Sequence, residues 1–367
     1  MTTARRNGAP SKRRAARSVG APARDAPKQR NGTAQGRSER QRREPIVDTQ
    51  GATSATRDAT GAAVVVEWPL RRPYPLDWVM KFLARRAIPG FEYVENGAFR
   101  RRVGAGWIDA RVVGNTLRVS VPAHCDTADS LARVRSIFDA DHDPQPVRAH
   151  LSTHDRLAPF VAALPGIRVP GAWDGFELAV RAILGQQVSV ERMTRLTQVL
   201  IERYGDGDFP TAAMLARENP AGIGMPGARG GAIQELARRV AAGDLEISAA
   251  MDHAALRREL CAIPGIGPWT AEYIALRAGR DADAFPDSDW VVLKVLGTTA
   301  AQARKLAEPW RPWRAYALMY LWYSSNVAKQ AAAANVPRPR APAGRSRGAP
   351  ERSRVEPTSK PRNRGRR

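Results

Sequence analysis

The stretch Leu260-Cys-Ala-Ile-Pro-Gly-Ile-Gly-Pro-Trp-Thr-Ala271 constrains this chain more than any other. A helical segment ends near Cys261, and Pro264, Gly265, Ile266 and Gly267 leave room for only a very short turn. Pro268 stands where a second helix starts. Proline is favoured there because the N–H it lacks would have had no intrahelical partner. The two glycines let another chain approach the backbone closely. Two helices are thus folded back on each other, and the amides at the start of the second face outward as an anion site suited to a phosphate. A bare Gly-x-Gly would read as an ordinary turn between helices; the whole string asks for more.

The rest of the chain divides around this hairpin. Residues 62–150 alternate strand and helix signals. Ala63–Glu67 is a Val-rich run, and Phe91–Val94, Phe99–Val103, Trp107–Val113 and Thr116–Val121 read as strands. In the last, Leu117, Val119 and Val121 alternate with Arg118 and Ser120, the pattern of a half-buried strand. Gly114-Asn115 predicts a tight hairpin between the last two. Asp77–Arg86 and Asp126–Asp139 read as helices, so this part is an antiparallel sheet with helices, an α+β domain. From Phe176 onward the apolar spacing is three to four and the pattern is all-α. Phe176–Val188 leads, a second run holds Met193 and Leu200, and Thr211–Glu218, Gly231–Ala242, Ala254–Cys261, Thr270–Gly279, Asp289–Leu296, Ala300–Glu308 and Trp313–Tyr323 follow. The expected organisation is a basic tail over 1–60, the α+β domain over 61–150, the all-α domain with two subdomains over 151–328, and a second basic tail over 329–367.

Charge separates the ends from the middle. Of a net charge of +22, residues 1–60 carry 14 Lys/Arg against 5 Asp/Glu and residues 329–367 carry 12 against 2, whereas residues 61–328 are nearly balanced. Both ends are rich in Ala, Gly, Pro, Ser and Arg and poor in aromatics, a composition that predicts disorder. Such tails either attract phosphates with release of counterions or act as solvated extensions; flanking a core that itself reads as DNA-binding favours the first. The two cysteines, Cys125 and Cys261, exclude by count a disulfide framework, a zinc finger or a four-cysteine iron–sulfur cluster, and fit a cytoplasmic setting. No run approaches 18 apolar residues, so no membrane partner is expected. The Arg-rich N-terminus lacks the apolar core of a secretory signal.

Three further elements carry chemistry. Phe285-Pro-Asp-Ser-Asp-Trp290 places Asp289 just before an apolar helix, where it can serve as an N-cap. A carboxylate there can also stabilise positive charge building on a sugar and activate a water; Asp287 is its rival for either role. Aromatics abound: Trp269 and Tyr273 share a helix face beside the hairpin, and Trp78, Trp290, Trp310, Trp313, Trp322 and Tyr323 lie further along or before it. Each alone reads as core, but together they offer flat faces for a flipped base and cation–π attraction for a positively charged one. Gln186 and Gln187 interrupt the apolar helix of Arg181–Val190, either as surface amides or with one of them at the DNA, filling the gap left by a flipped base.

These elements, in this order, resemble the helix-hairpin-helix-GPD superfamily of DNA glycosylases, and within it the bacterial 3-methyladenine DNA glycosylase II family. The resemblance covers about residues 64–325 and includes Trp310-Arg-Pro-Trp-Arg-Ala-Tyr-Ala-Leu318 with Trp322-Tyr323. It implies an α+β fold, with an N-terminal TATA-binding-protein-like antiparallel sheet followed by an all-α helix-hairpin-helix glycosylase domain. It implies Asp289 as the catalytic aspartate, and Trp269, Tyr273, Trp322 and Phe82 as the base pocket. Pro264, Gly265, Ile266, Gly267 and Thr270 would bind DNA, with Gln187 where a relative places a leucine wedge. The backbone carbonyls of Cys261, Ile263 and Ile266 would hold a structural cation, usually sodium; no catalytic cofactor is implied. Bifunctional relatives carry a catalytic lysine where this chain has Trp269, so no Schiff base and no strand cleavage are expected. The implied activity is hydrolytic excision of alkylated bases (3-methyladenine, 7-methylguanine, 3-methylguanine) from duplex DNA by a cytoplasmic, nucleoid-associated monomer. The rivals are a glycosylase for another lesion such as hypoxanthine, and a non-catalytic DNA-binding protein.

Overall fold

A computed structural model describes residues 51–58 and 60–334, with side chains to residue 327. Most of both basic tails lies outside the described residues. Six strands, β1 (Ser54–Arg57), β2 (Ala63–Pro69), β3 (Glu92–Glu95), β4 (Ala98–Val103), β5 (Gly106–Val113) and β6 (Thr116–Pro122), form one antiparallel sheet in the order β1-β2-β6-β5-β4-β3. Helix α1 (Leu76–Ala84) crosses between β2 and β3, and α2 (Thr127–Phe138) follows β6. The helical part comprises α3 (Pro144–Leu151), α4 (Ala158–Ala163), α5 (Gly175–Leu184), α6 (Val190–Tyr204), α7 (Ala212–Arg217), α8 (Gly227–Ala242), α9 (His253–Cys261), α10 (Pro268–Arg277), α11 (Trp290–Leu296), α12 (Ala300–Ala307) and α13 (Arg314–Ala334). Among the described residues no helix is long and apolar enough to cross a membrane.

The expected elements form for local reasons. Val113 pairs with Thr116, so Gly114-Asn115 is a two-residue hairpin loop, with Gly114 at φ +58°. Leu117, Val119 and Val121 are fully buried, as their alternation requires. Asp126, Asp174, Ser189, Thr211, Asp252 and Asp289 each cap the helix that follows them, satisfying an amide with no intrahelical partner. Two differences stand out. Residues 54–57, expected within the first tail, form edge strand β1, paired with Val64–Glu67. Its residues are polar and small, and an edge strand needs apolar character on one face only. The last helix also runs to Ala334, past the expected start of the second tail at 329, over an Ala-rich stretch with high helix propensity. Helices α3 and α4 arise where no apolar periodicity announced them. Asp143 caps α3, and prolines occupy the first turns of both.

Apolar packing does not follow chain order. One core joins the inner face of the sheet and α1–α2 to residues of α11–α13, including Trp310, Tyr316 and Leu318. A second is built from α5–α10. Tyr273 of α10 packs against both. The sheet also meets α5 through charge. Arg101 of β4 donates to Glu92 of β3 at 2.6 Å and to Glu177 of α5 at 3.1 Å, and Arg181 of α5 donates to the same two carboxylates at 3.3 and 3.1 Å. Arg101, Glu92 and Glu177 are all buried. Burial alone would raise the Glu177 pKa, but Arg101 and Arg181 more than offset this and hold it below 4.5.

Removing one carboxylate leaves a buried cation uncompensated, so Glu177→Gln is expected to lower unfolding free energy by about 3–5 kcal/mol at pH 7. Because the folded pKa is depressed, this contribution is present above the unfolded value near 4.5 and disappears as pH falls through the folded one. Urea midpoints measured across pH should therefore converge for wild type and variant in acid; a constant gap would count against the network.

Candidate base-binding site and nucleic-acid interface

Helices α9 and α10 form the hairpin read from the sequence. Pro268 is the first residue of α10, with Gly267 before it. Gly265 adopts φ +91°, a left-handed conformation that side chains rarely take, and an added Cβ would also come to 3.1 Å from Ala232. Gly267 differs: its φ is −89°, and a Cβ there would meet nothing within 4 Å. The fold itself therefore does not require glycine at 267. Pro264, Gly265 and Gly267 are exposed, whereas Ile266 and Thr270 are each only 3% exposed. The last two can meet a partner through backbone groups, while their side chains look inward.

Gln186 and Gln187, adjacent in sequence, go opposite ways. The Gln186 amide donates to the Gly265 carbonyl at 2.9 Å and the Thr270 hydroxyl at 3.1 Å, tying the end of α5 to the hairpin. Gln187 has φ +55° and is exposed at the edge of a cleft. That cleft, of about 1340 Å³, is bounded by α1, the 185–190 loop, the hairpin, the near ends of α10 and α11, and the middle of α13.

Asp289 lies in the cleft wall as the N-cap of α11, 7% exposed. Its Oδ1 accepts from the amides of Val291 and Val292 at 3.0 and 3.1 Å and from the Trp322 indole at 3.1 Å. Its Oδ2 accepts from the Trp269 indole at 3.1 Å. A carboxylate oxygen has two good acceptor directions, so Oδ1 is saturated and Oδ2 retains one for a visitor. Of the two carboxylates the sequence offered, Asp289 is the one that caps α11, while the Asp287 carboxylate is bound by Arg304 at 2.6 Å.

The four expected aromatics converge on this carboxylate. Trp269 and Tyr273 stack at 5.3 Å and 9°, Trp322 lies 6.5 Å from Tyr273, and Phe82 of α1 stacks on Trp322 at 6.4 Å and 18°. Thus α1, α10 and α13, remote in sequence, each bring rings to one place. The carbonyls of Cys261, Ile263 and Ile266 lie at the end of α9 and in the turn, where helix-terminal carbonyls lack intrahelical donors; the Ile263 carbonyl accepts from the Ile266 amide at 3.0 Å.

Two arginines escaped the sequence reading. Arg277 donates to the Tyr273 hydroxyl at 2.7 Å and to the carbonyls of Pro170 and Gly171. The Arg86 guanidinium lies 3.7 Å over the Phe82 ring. Four-residue spacing from Phe82 and from Tyr273 was the available signal for each. Trp290, next to the carboxylate, is 64% exposed and lines the cleft, with Lys294 5.0 Å over its ring.

Burial would push the Tyr273 pKa up, but Arg277 and Arg86 outweigh it and bring it down to about 8. The phenol is therefore mostly neutral at pH 7 and ionised above 8. Difference absorbance at 295 nm between wild type and Tyr273→Phe should show one phenol titrating near pH 8; a difference signal appearing only above pH 10 would refute the paired-arginine account.

The chain is similar to several known proteins. Residues 65–174 match the AlkA N-terminal domain. The chain is 36% identical over 272 residues to DNA-3-methyladenine glycosylase 2 of Escherichia coli, covering 69% of this chain and 94% of that one. Among solved structures, the 3-methyladenine DNA glycosylase of Archaeoglobus fulgidus superposes with a TM-score of 0.61 at 20% identity, over 71% of this chain and 98% of that one. The Clostridium acetobutylicum 8-oxoguanine glycosylase/lyase in complex with double-stranded DNA does so with a TM-score of 0.61 at 17% identity, over 76% and 99%. These two likenesses show the fold: an antiparallel sheet with helices, followed by a helical glycosylase architecture. The identity to the Escherichia coli enzyme, over nearly that enzyme's whole length, shows the family: the chain belongs to the 3-methyladenine DNA glycosylase II family of helix-hairpin-helix enzymes.

Proposed function

We propose that this protein flips an alkylated base out of duplex DNA and hydrolyses its bond to the sugar, leaving an abasic site. The observation that carries the reading is the Asp289 carboxylate, held by two indoles and two amides among four converging aromatic rings, beside a hairpin whose turn residues Pro264, Gly265 and Gly267 are exposed. The hairpin amides bind a DNA phosphate. Gln187, displayed by its left-handed backbone, fills the gap in the stack. The base lies against the rings of Trp269, Tyr273, Trp322 and Phe82. As the N-glycosidic bond lengthens, positive charge grows on the sugar and is stabilised by Asp289, whose Oδ2 can also accept a hydrogen bond from the attacking water. A base alkylated at a ring nitrogen is already cationic and leaves neutral, so 3-methyladenine, 7-methylguanine and 3-methylguanine need no strong acid. Trp269 stands where a lysine would form a Schiff base, so the strand is left uncut.

The hairpin carbonyls of Cys261, Ile263 and Ile266 suit a hard monovalent cation such as sodium, which takes oxygen ligands and would brace the turn. The protein acts as a monomer in the cytoplasm, associated with the nucleoid through its charged ends.

Two measurements test this reading. Asp289→Asn keeps a good N-cap but removes the negative charge. Release of 3-methyladenine from methylated duplex DNA, followed by chromatography, should fall about 10²- to 10⁴-fold, with DNA binding retained and wild-type strands uncut until alkali is added. Undiminished release by the variant would refute the assignment. For the interface, the Cβ added by Gly267→Ala meets no atom of the protein itself, and with Gly267 at the N-cap of α10 the melting temperature should fall by no more than a few degrees. It should weaken duplex binding about tenfold, or 1.4 kcal/mol, by holding off the phosphate; unchanged affinity would remove Gly267 from the interface.

A further inference from the structure

Every ring around Asp289 offers a face, and faces favour a cationic base but do not read the hydrogen-bonding edge of a neutral one. Arg86 is different, because it carries five N–H donors. It follows α1, lines the cleft, and lies 3.7 Å over Phe82 and 6.0 Å from Trp322. One donor reaches the Phe82 carbonyl at 3.3 Å, and the guanidinium sits beside the Tyr273 hydroxyl. Its backbone is held in place as well, since Arg181 donates to the Arg86 carbonyl.

The neighbouring arginines have their donors engaged by carboxylates or by several oxygens. Arg101 and Arg181 share two buried glutamates, Arg277 lies against three oxygens, and Arg85 approaches Glu191 at 3.8 Å. Among the described residues no carboxylate lies within 4 Å of Arg86; Glu191, which feels its charge, is exposed and reaches Arg85 instead. Tyr273, with a pKa of about 8, is mostly neutral at pH 7 and is no full counter-charge. Burial lowers the Arg86 pKa to about 10, so it remains charged at neutral pH. A partly buried cation with no carboxylate in contact costs stability, and this one lines the same cleft as Asp289.

We propose that Arg86 is a specificity-determining residue that stabilises the negative charge developing on a neutral base as it leaves, extending the reaction from cationic to neutral carbonyl-bearing bases. The proposal rests on the glycosylase reading above. In the step, the bond between the base nitrogen and the sugar carbon breaks and its electron pair stays on the base. Water adds to the sugar carbon as hydroxyl, losing its proton to Asp289 or solvent. The base anion, hydrogen-bonded to Arg86 through its carbonyl oxygen, then takes a proton from solvent. A cationic base leaves neutral and gains nothing from Arg86, whose charge opposes it.

The test is single-turnover base release from duplexes carrying one 7-methylguanine, a cationic base, or one hypoxanthine, a neutral one, with wild type, Arg86→Gln and Arg86→Lys. For Arg86→Gln the hypoxanthine rate should fall about 10- to 100-fold relative to the 7-methylguanine rate. Arg86→Lys, which keeps the charge but loses the planar fork, should recover part of that ratio. Equal losses on both lesions, or an unchanged ratio, would overturn the proposal, as would a wild type that releases 7-methylguanine but no hypoxanthine. A wild type that releases neither would overturn the glycosylase reading itself, and Arg86's role with it.

Discussion

The four charges of Arg101, Glu92, Glu177 and Arg181 hold the sheet to the helices, and the cleft depends on that junction. Isolated buried ion pairs often contribute little net stability, because desolvation offsets attraction. Here their value is positional. Two guanidiniums bridging two carboxylates allow few alternative arrangements, so β3 and β4 meet α5 in one register. Arg181 then reaches the chain at Arg86, immediately beyond α1, the helix that supplies Phe82. A sheet contact tens of residues away thus sets where one wall of the cleft stands.

The opposite wall depends on a helix end. Asp289 caps α11, and the same oxygen that caps receives the Trp322 indole. Because α11 and α13 pack into the core shared with the sheet, while α10 belongs chiefly to the other, the carboxylate lies where the two cores come together, as does Tyr273. Neither core alone could assemble the site: Trp269 and Tyr273 come from one side, Trp322 and Phe82 from the other.

Much of this could be read from the chain. The hairpin was legible because Pro264, Gly265 and Pro268 each have a backbone reason for their place, and backbone reasons are local. Leu117, Val119 and Val121 announced a strand by alternation, and Asp289 announced a cap by standing before an apolar run. The aromatic residues of the site were named through family resemblance, since no local signal distinguishes Trp322 from an ordinary core tryptophan. What stayed hidden depends on tertiary contact. The partner of Asp287, Arg304, lies seventeen residues beyond it, and the pairing of Arg86 with Arg277 around one phenol has no sequence signature across nearly two hundred residues. β1 was missed because Ser54–Arg57 has too little apolar character to mark an edge strand.

One backbone angle has a consequence for how such a chain can drift over generations. Gln186 and Gln187 are chemically identical, yet the first is fastened to the hairpin and the second stands free, and the left-handed φ at 187 accompanies that parting of ways. A lineage can exchange the side chain at 187 for others that probe a base stack, provided the backbone tolerates that angle, whereas the amide at 186 has two fixed acceptors to serve. Loss of a single residue in this loop would move the free amide into the fastened one's place and displace the hairpin's anchor. The loop should therefore vary in residue type at 187 while resisting any change in length.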